Sequence, residues 1–199
     1  MPLAEEVLVP FPAPRERIPM GTHFRSTWLT ASLDALKRRN LMAAYYQRLD
    51  PKYRAIIEET IAATWLPADV AVAHYRAIDA LNLSAEEQYK MGEEVPIRVH
   101  SAFIKLACAA GATPWTAAAQ LGRLWPRSWT GGGIGVFKLG PKEGRVEIVN
   151  LPVCGIPYVR HAMRGSYMAA VSIFCTRGYV KDIPKLCTAT TLGYQISWA

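Results

Sequence analysis

The stretch Gly133–Ala199, GIGVFKLGPKEGRVEIVNLPVCGIPYVRHAMRGSYMAAVSIFCTRGYVKDIPKLCTATTLGYQISWA, decides the fold. It reads as strand, tight turn, strand, one amphipathic helix and two further strands. Ile134 to Leu139 is the first strand and Gly140-Pro-Lys-Glu-Gly144 the turn. Arg145 to Leu151 alternates, with Val146, Ile148 and Asn150 on one side and Glu147, Val149 and Leu151 on the other. Tyr158 to Cys175 is predicted to be helical, with small residues at Ala162, Gly165, Ala169 and Ala170 that suit a close helix-to-sheet approach. Tyr179 to Ala189 and Leu192 to Trp198 complete the strands, and Pro184 argues for an edge position or a bulge in the first of them.

Upstream, the chain reads as helix after helix from Phe24 to Trp129. Leu29, Leu33, Leu36 and Met42 open the pattern, and Asp50-Pro51 is an N-cap followed by proline at the first helical position. Pro67 opens a helix whose stripe is Val70, Ala73, His74, Ala77, Ile78 and Leu81. Ser84-Ala-Glu-Glu87 has capping-box spacing, and Pro96 is expected to kink the helix that follows, leaving a second piece from Ile97 to Ala110. Thr113-Pro114 starts a last helix, which Pro126 ends. Helices followed by hairpins, without βαβ alternation, predict an α+β fold: a helical layer on an antiparallel four-stranded sheet with one crossover helix. Residues 1–21 hold five prolines and read as an extended arm, with Val7 to Phe11 able to pair as a strand or dock on the body; residues 22–199 read as one α+β domain of ligand-binding type.

Composition bounds the function. With 51% hydrophobic and 20% charged residues, a 199-residue chain can build a sizeable core. The net charge of +7 raises the prospect of an anionic partner. Its densest cluster, Lys37-Arg38-Arg39, ends a predicted helix, where the dipole and the free carbonyls favour cations, so nucleic acid is not the expected partner. Four dispersed cysteines without a CxxC, the lack of a signal-peptide pattern and the lack of a long apolar run point to a cytoplasmic protein with free thiols and no transmembrane segment. Gly131-Gly-Gly133 is a flexible entry to the first strand and not a phosphate cradle, because Lys138 stands where the last glycine of G-x-G-x-x-G belongs.

The order of elements, with Trp65-Leu66-Pro67, the run Leu121-Gly-Arg-Leu-Trp-Pro-Arg-Ser-Trp129 and the closing Gly193-Tyr-Gln-Ile-Ser-Trp198, resembles the superfamily of haem nitric-oxide/oxygen binding domains, 4-vinyl-reductase-type domains and Bet-type TRAPP subunits. Within it, the chain is most similar to a paralogous family of bacterial proteins expanded in myxobacteria. The resemblance spans about Thr64 to Trp198. It implies a cavity between helices and sheet that holds haem, a small aromatic or pigment-like molecule or an acyl chain, or a fold used for assembly. Fold alone does not choose among these.

The residues narrow the choice. Haem needs an axial ligand, yet Ser101 to Lys138 holds no histidine; His74, His100 and His161 lie elsewhere, and a His100 or Cys108 ligand would be unconventional. Zinc is disfavoured: the resemblance to 4-vinyl-reductase-type regulators implies a C-terminal E-x-x-C-x7-C pattern plus an earlier cysteine, on which Cys187 and Cys154 can be placed, but Pro184 and Gln195 stand at the other ligand positions. A Cys154–Cys187 redox pair is open but shows no activating neighbour in the sequence. No nucleophile motif or Ser/His/Asp grouping stands out, and Glu58-Glu59 and Glu93-Glu94 are adjacent carboxylates that diverge on a helix. What remains is aromatic. Trp115, Trp125, Trp129, Phe103 and Tyr158, with His100 nearby and Arg127 or Arg160 at the mouth, are expected to line a pocket for an apolar, aromatic or acyl ligand with an acidic group, or else simply to form core. The expectation is a non-enzymatic binding or sensor module that passes occupancy to a partner protein or acts as a homodimer. The alternatives are an assembly module with a filled core, a haem-based sensor, and an enzyme acting on a hydrophobic ligand.

Overall fold

The structure, a computed structural model, describes residues 5–94 and 113–199. The expected kink at Pro96, the helical piece 97–110, and His100, Phe103 and Cys108 lie outside the described residues.

The fold is mixed α+β with two antiparallel sheets. Along the chain run β1 (Glu6–Val9), β2 (His23–Arg25), α1 (Ser26–Arg38), α2 (Met42–Arg48), α3 (Arg54–Glu58), β3 (Trp65–Pro67) and α4 (Ala68–Asp79). Helix α5 is described over 85–94. Then come α6 (Pro114–Ala119), α7 (Leu121–Leu124), β4 (Trp129–Thr130), β5 (Gly133–Gly140), β6 (Glu143–Val149), α8 (Pro157–Ser172), β7 (Gly178–Asp182) and β8 (Leu192–Trp198). The main sheet has the order β1-β5-β6-β8-β7. The four strands expected from the C-terminal third are there, but the sheet has five, because the arm supplies β1 along the edge of β5. The chain reaches Asp182 before β7 ends, and Pro184 opens a 3-10 turn, so the long strand expected to Ala189 is cut short and lies at the sheet edge. Proline cannot donate to a ladder, so it closes the strand here.

Register sorts the sheet into two faces. Val146 stands opposite Val136 and Tyr194, and Ile148 opposite Ile134 and Leu192. All six are buried on the face that meets α8. The Tyr167 ring of α8 lies 5.3 Å from the Tyr194 ring, and the Tyr194 hydroxyl donates to the Arg160 carbonyl at 3.0 Å. On the opposite face the arm crosses the sheet. A Cβ at Gly135 would lie 2.9 Å from the Phe11 ring, so the glycine makes the seat for that ring. Glu147, 2% exposed, is paired there with Arg15 and Arg145.

The small residues of α8 do something other than expected. Gly165 faces α5, not the sheet: a Cβ there would lie 2.0 Å from the Tyr89 carbonyl oxygen. On α5, a Cβ at Gly92 would lie 1.8 Å from the Ala162 carbonyl oxygen, and the Ser166 hydroxyl donates to the Gly92 carbonyl at 2.9 Å. Glycines on both helices therefore let two backbones touch.

The second sheet, β3-β2-β4, joins three short strands that staple the starts of α1 and α4 to the entry of β5. Next to it, Gly131 and Gly132 hold φ of +84° and +61°. A Cβ at Gly132 would lie 2.6 Å from the Leu151 side chain, so the glycines do relieve crowding at the first strand. No helix among the described residues is long and apolar enough to cross a membrane.

Candidate functional site

The aromatic side chains expected to share one pocket are separated. Trp129 is buried in the second sheet with its ring 5.6 Å from Phe24. Trp125 donates from Nε1 to the Gly131 carbonyl at 3.2 Å and packs on the core. Tyr158 is buried at the start of α8, its ring 5.9 Å from Tyr75. Arg127 is exposed on a 3-10 turn. Arg160 is half-buried: its carbonyl accepts a hydrogen bond from the Tyr194 hydroxyl, and its Nε has no hydrogen-bond partner among the described residues. Among the described candidates, Trp115 lines a space between helix and sheet. Its ring meets Trp198 edge-on at 4.7 Å and its Nε1 donates to the Pro141 carbonyl at 2.8 Å. Ala118, Val136, Val146, Val171 and Ile196 complete that notch, with Arg145 beside it. The notch measures about 40 Å³, against roughly 300–1,000 Å³ for a ligand pocket. The greasy interior is therefore core at Trp129 and Tyr158 and a small notch at Trp115.

A larger space lies at the end of the helical layer. A cleft of about 510 Å³ is walled by Met20 of the arm, Arg76 and Asp79 of α4, and Ile156 and Pro157 at the start of α8. Pro152 and Gly155 of the 150–156 connector and Ala189 and Thr190 before β8 complete it. The walls are mostly apolar, and Met20 is 44% exposed. Asp79 is engaged, its Oδ1 accepting the Tyr158 N–H at 2.8 Å and capping α8 from another helix. Arg76 is exposed and has no ion pair among the described residues. An apolar hollow with an exposed guanidinium at its wall suits a small molecule with an apolar body and a carboxylate, sulfonate or phosphate.

No protein-family model, curated protein or solved structure matches this chain. Its chemistry has to be read from the side chains themselves.

Three helices converge on a buried polar chain that no sequence motif announces. His74 of α4 is fully buried. Its Nδ1 lies 2.7 Å from the Tyr45 hydroxyl of α2 and its Nε2 lies 2.5 Å from the Ser32 hydroxyl of α1. The Ser32 hydroxyl donates to the Leu29 carbonyl at 2.8 Å. One assignment satisfies every group: Tyr45 donates to Nδ1, Nε2–H donates to Ser32, and Ser32 donates to Leu29. The serine proton thus points away from the imidazole. Burial pushes the His74 pKa down to about 3, so the ring is neutral. Ser, His and Tyr here form a structural clamp, and both ring nitrogens are occupied, which removes His74 as an axial haem ligand. The sequence signal was only a histidine in the apolar stripe of α4.

Among the described residues no group of three or more His, Cys, Asp or Glu side chains is placed to hold a metal ion. Glu94 pairs with Arg38 and Arg39, and Arg39 also donates to the Ala35 carbonyl at 3.1 Å. Two of the three cations at the end of α1, Arg38 and Arg39, are thus engaged within the fold, while Lys37 is exposed. Glu58 pairs with Arg54 one turn earlier at 2.9 Å, as a solvated helix face does.

Proposed function

We propose that this chain is a non-enzymatic binding module, of sensor or regulatory type, that takes a small apolar, aromatic or acyl molecule carrying an acidic group. The site is the cleft between α4, the start of α8 and the loops after β6 and before β8. The observation that carries this reading is the combination of about 510 Å³ of mostly apolar room with the guanidinium of Arg76, which has no ion pair among the described residues. The side chains that do chemistry elsewhere, the Ser32–His74–Tyr45 chain above all, are sealed and internally satisfied, which supports binding over catalysis. The resemblance to the haem, 4-vinyl-reductase and TRAPP superfamily, and a cytoplasmic setting in which occupancy is read by a partner protein, belong to the same proposal.

Titration with 1-anilinonaphthalene-8-sulfonate and with dodecanoate tests it. Saturable one-to-one binding is expected, weakened about tenfold in Arg76→Ala with the circular dichroism unchanged, since tenfold is about 1.4 kcal/mol and one charge-assisted hydrogen bond supplies that. Absence of binding, or equal binding by Arg76→Ala, would reject the reading.

A second reading, an assembly module, draws on one observation. Edge strand β7 carries Tyr179, 54% exposed. A dimer in solution that Tyr179→Lys dissolves, without probe binding to the cleft, would favour it.

A further inference from the structure

We propose that Cys154 and Cys187 are a thiol pair that closes into a reversible disulfide on oxidation by a hydroperoxide, tying together two walls of the cleft. The placement of the two residues carries this. Cys154 lies in the connector after β6 and is buried, while Cys187 follows the Pro184–Leu186 turn and is half-buried. Both are free thiols. The two loops run side by side: the Leu151 N–H donates to the Thr190 carbonyl at 3.1 Å, and a Cβ at Gly155 would lie 3.1 Å from the Ala189 Cα. Cys187 is near enough to act electrostatically on Cys154. Its Sγ makes one long hydrogen bond among the described residues, 3.8 Å to the Gly193 carbonyl, a weak tie for the thiol. Cys175, at the far end of α8, bonds instead to the carbonyls of Val171 and Arg177. The same two loops supply Pro152, Gly155, Ala189 and Thr190 to the cleft.

The order of events follows from burial. Burial chiefly, and Cys187 in part, pushes the Cys154 thiol up to about 12, so Cys187 reacts first. The Cys187 thiolate attacks the outer peroxide oxygen; the O–O bond breaks, the alcohol leaves with the proton, and Cys187 becomes a sulfenic acid. Cys154 then attacks the Cys187 sulfur; the S–S bond forms, the S–O bond breaks, and the hydroxyl leaves as water with the thiol proton. Two thiols and one hydroperoxide give one disulfide, one alcohol and one water. Each sulfur loses one electron and the peroxide gains two. Fixing these two adjoining loops stops the cleft lining from adjusting to a ligand and weakens binding, and this last consequence rests on the binding proposal above, while bond formation does not.

The test uses the full chain treated with one equivalent of cumene hydroperoxide, alkylated with iodoacetamide, digested and read by mass spectrometry. A linked peptide pair carrying Cys154 and Cys187, lost on treatment with dithiothreitol, is expected. In Cys154→Ser, dimedone should label Cys187. Alkylation of both residues after peroxide, linkage through Cys108 or Cys175 instead, or no dimedone label on Cys187 would overturn the pair. With the link in place, 1-anilinonaphthalene-8-sulfonate affinity should fall by roughly threefold or more. A link that forms while probe affinity stays the same would reject the wall-tying role and leave the thiol pair standing. A chain that binds no probe even when reduced would instead reject the binding proposal.

Discussion

The Tyr45 hydroxyl lies 2.7 Å from Nδ1 of His74, and this contact fixes the tautomer of a histidine that holds three helices together. Its folded pKa is about 3, against about 6.5 for the free side chain. The folded value is lowered, so between those two pH values the unfolded chain binds the extra proton. Stability is therefore full above about pH 6.5 and falls with pH at up to about 1.4 kcal/mol per unit for this one site. Urea unfolding from pH 7 to pH 4 should show that slope, and His74→Gln should be less stable at pH 7 but flatter by about one proton. Equal slopes in the two proteins would contradict a buried neutral imidazole.

The α5–α8 crossing should not tolerate a methyl group. Gly165→Ala places a Cβ 2.0 Å from the Tyr89 carbonyl oxygen, which is backbone and cannot rotate away. A loss of about 1–3 kcal/mol or more in denaturant unfolding is expected. Gly140→Ala, where a Cβ would lie 3.7 Å from its nearest neighbour, is the mild control.

The arm is held to the outer sheet face through a buried carboxylate. Glu147→Gln leaves Arg15 and Arg145 without their shared anion and should cost about 1–3 kcal/mol. The exposed Glu6–Lys138 pair at 2.9 Å is different, and Glu6→Gln should cost about 1 kcal/mol or less. Limited proteolysis should cut within 10–20 faster in Glu147→Gln and in Phe11→Ala than in the parent chain.

Asp79 caps α8 from across the helical layer, so Asp79→Ala should lower stability by about 1 kcal/mol, and Asp79→Asn should recover most of it. Thermal melts of the three proteins check this.

Much of the architecture was legible because it is written in local chemistry. The Gly140–Gly144 turn flanked by alternating residues gave the β5–β6 hairpin. Ser84 and Glu87 make the capping box their spacing predicts, with Glu87 N–H on the Ser84 hydroxyl at 3.2 Å and Ser84 N–H on the Glu87 carboxylate at 2.8 Å. Asp50 caps Lys52 at 3.1 Å in front of Pro51, although the turn it starts is 3-10. The second sheet was not legible, because strands of two or three residues leave no alternation to read. The fifth strand depended on a pairing between residues 132 positions apart, Glu6 and Lys138. The cleft was invisible for a related reason. Met20, Arg76, Ile156 and Ala189 belong to four separated segments, and none of them is an unusual residue in its own stretch. The aromatics were conspicuous in sequence, yet Trp129 and Tyr158 are core; a large ring is equally good at filling space and at lining it.

The most direct test of the central claim is a dodecanoate titration followed by amide chemical shifts of the isotope-labelled chain. Saturable shifts clustered at Arg76, Asp79, Gly155, Ala189 and Thr190 are expected. Shifts confined to Ala118, Val146 and Ile196 at the Trp115 notch, or no saturable shifts at all, would contradict the placement of the site.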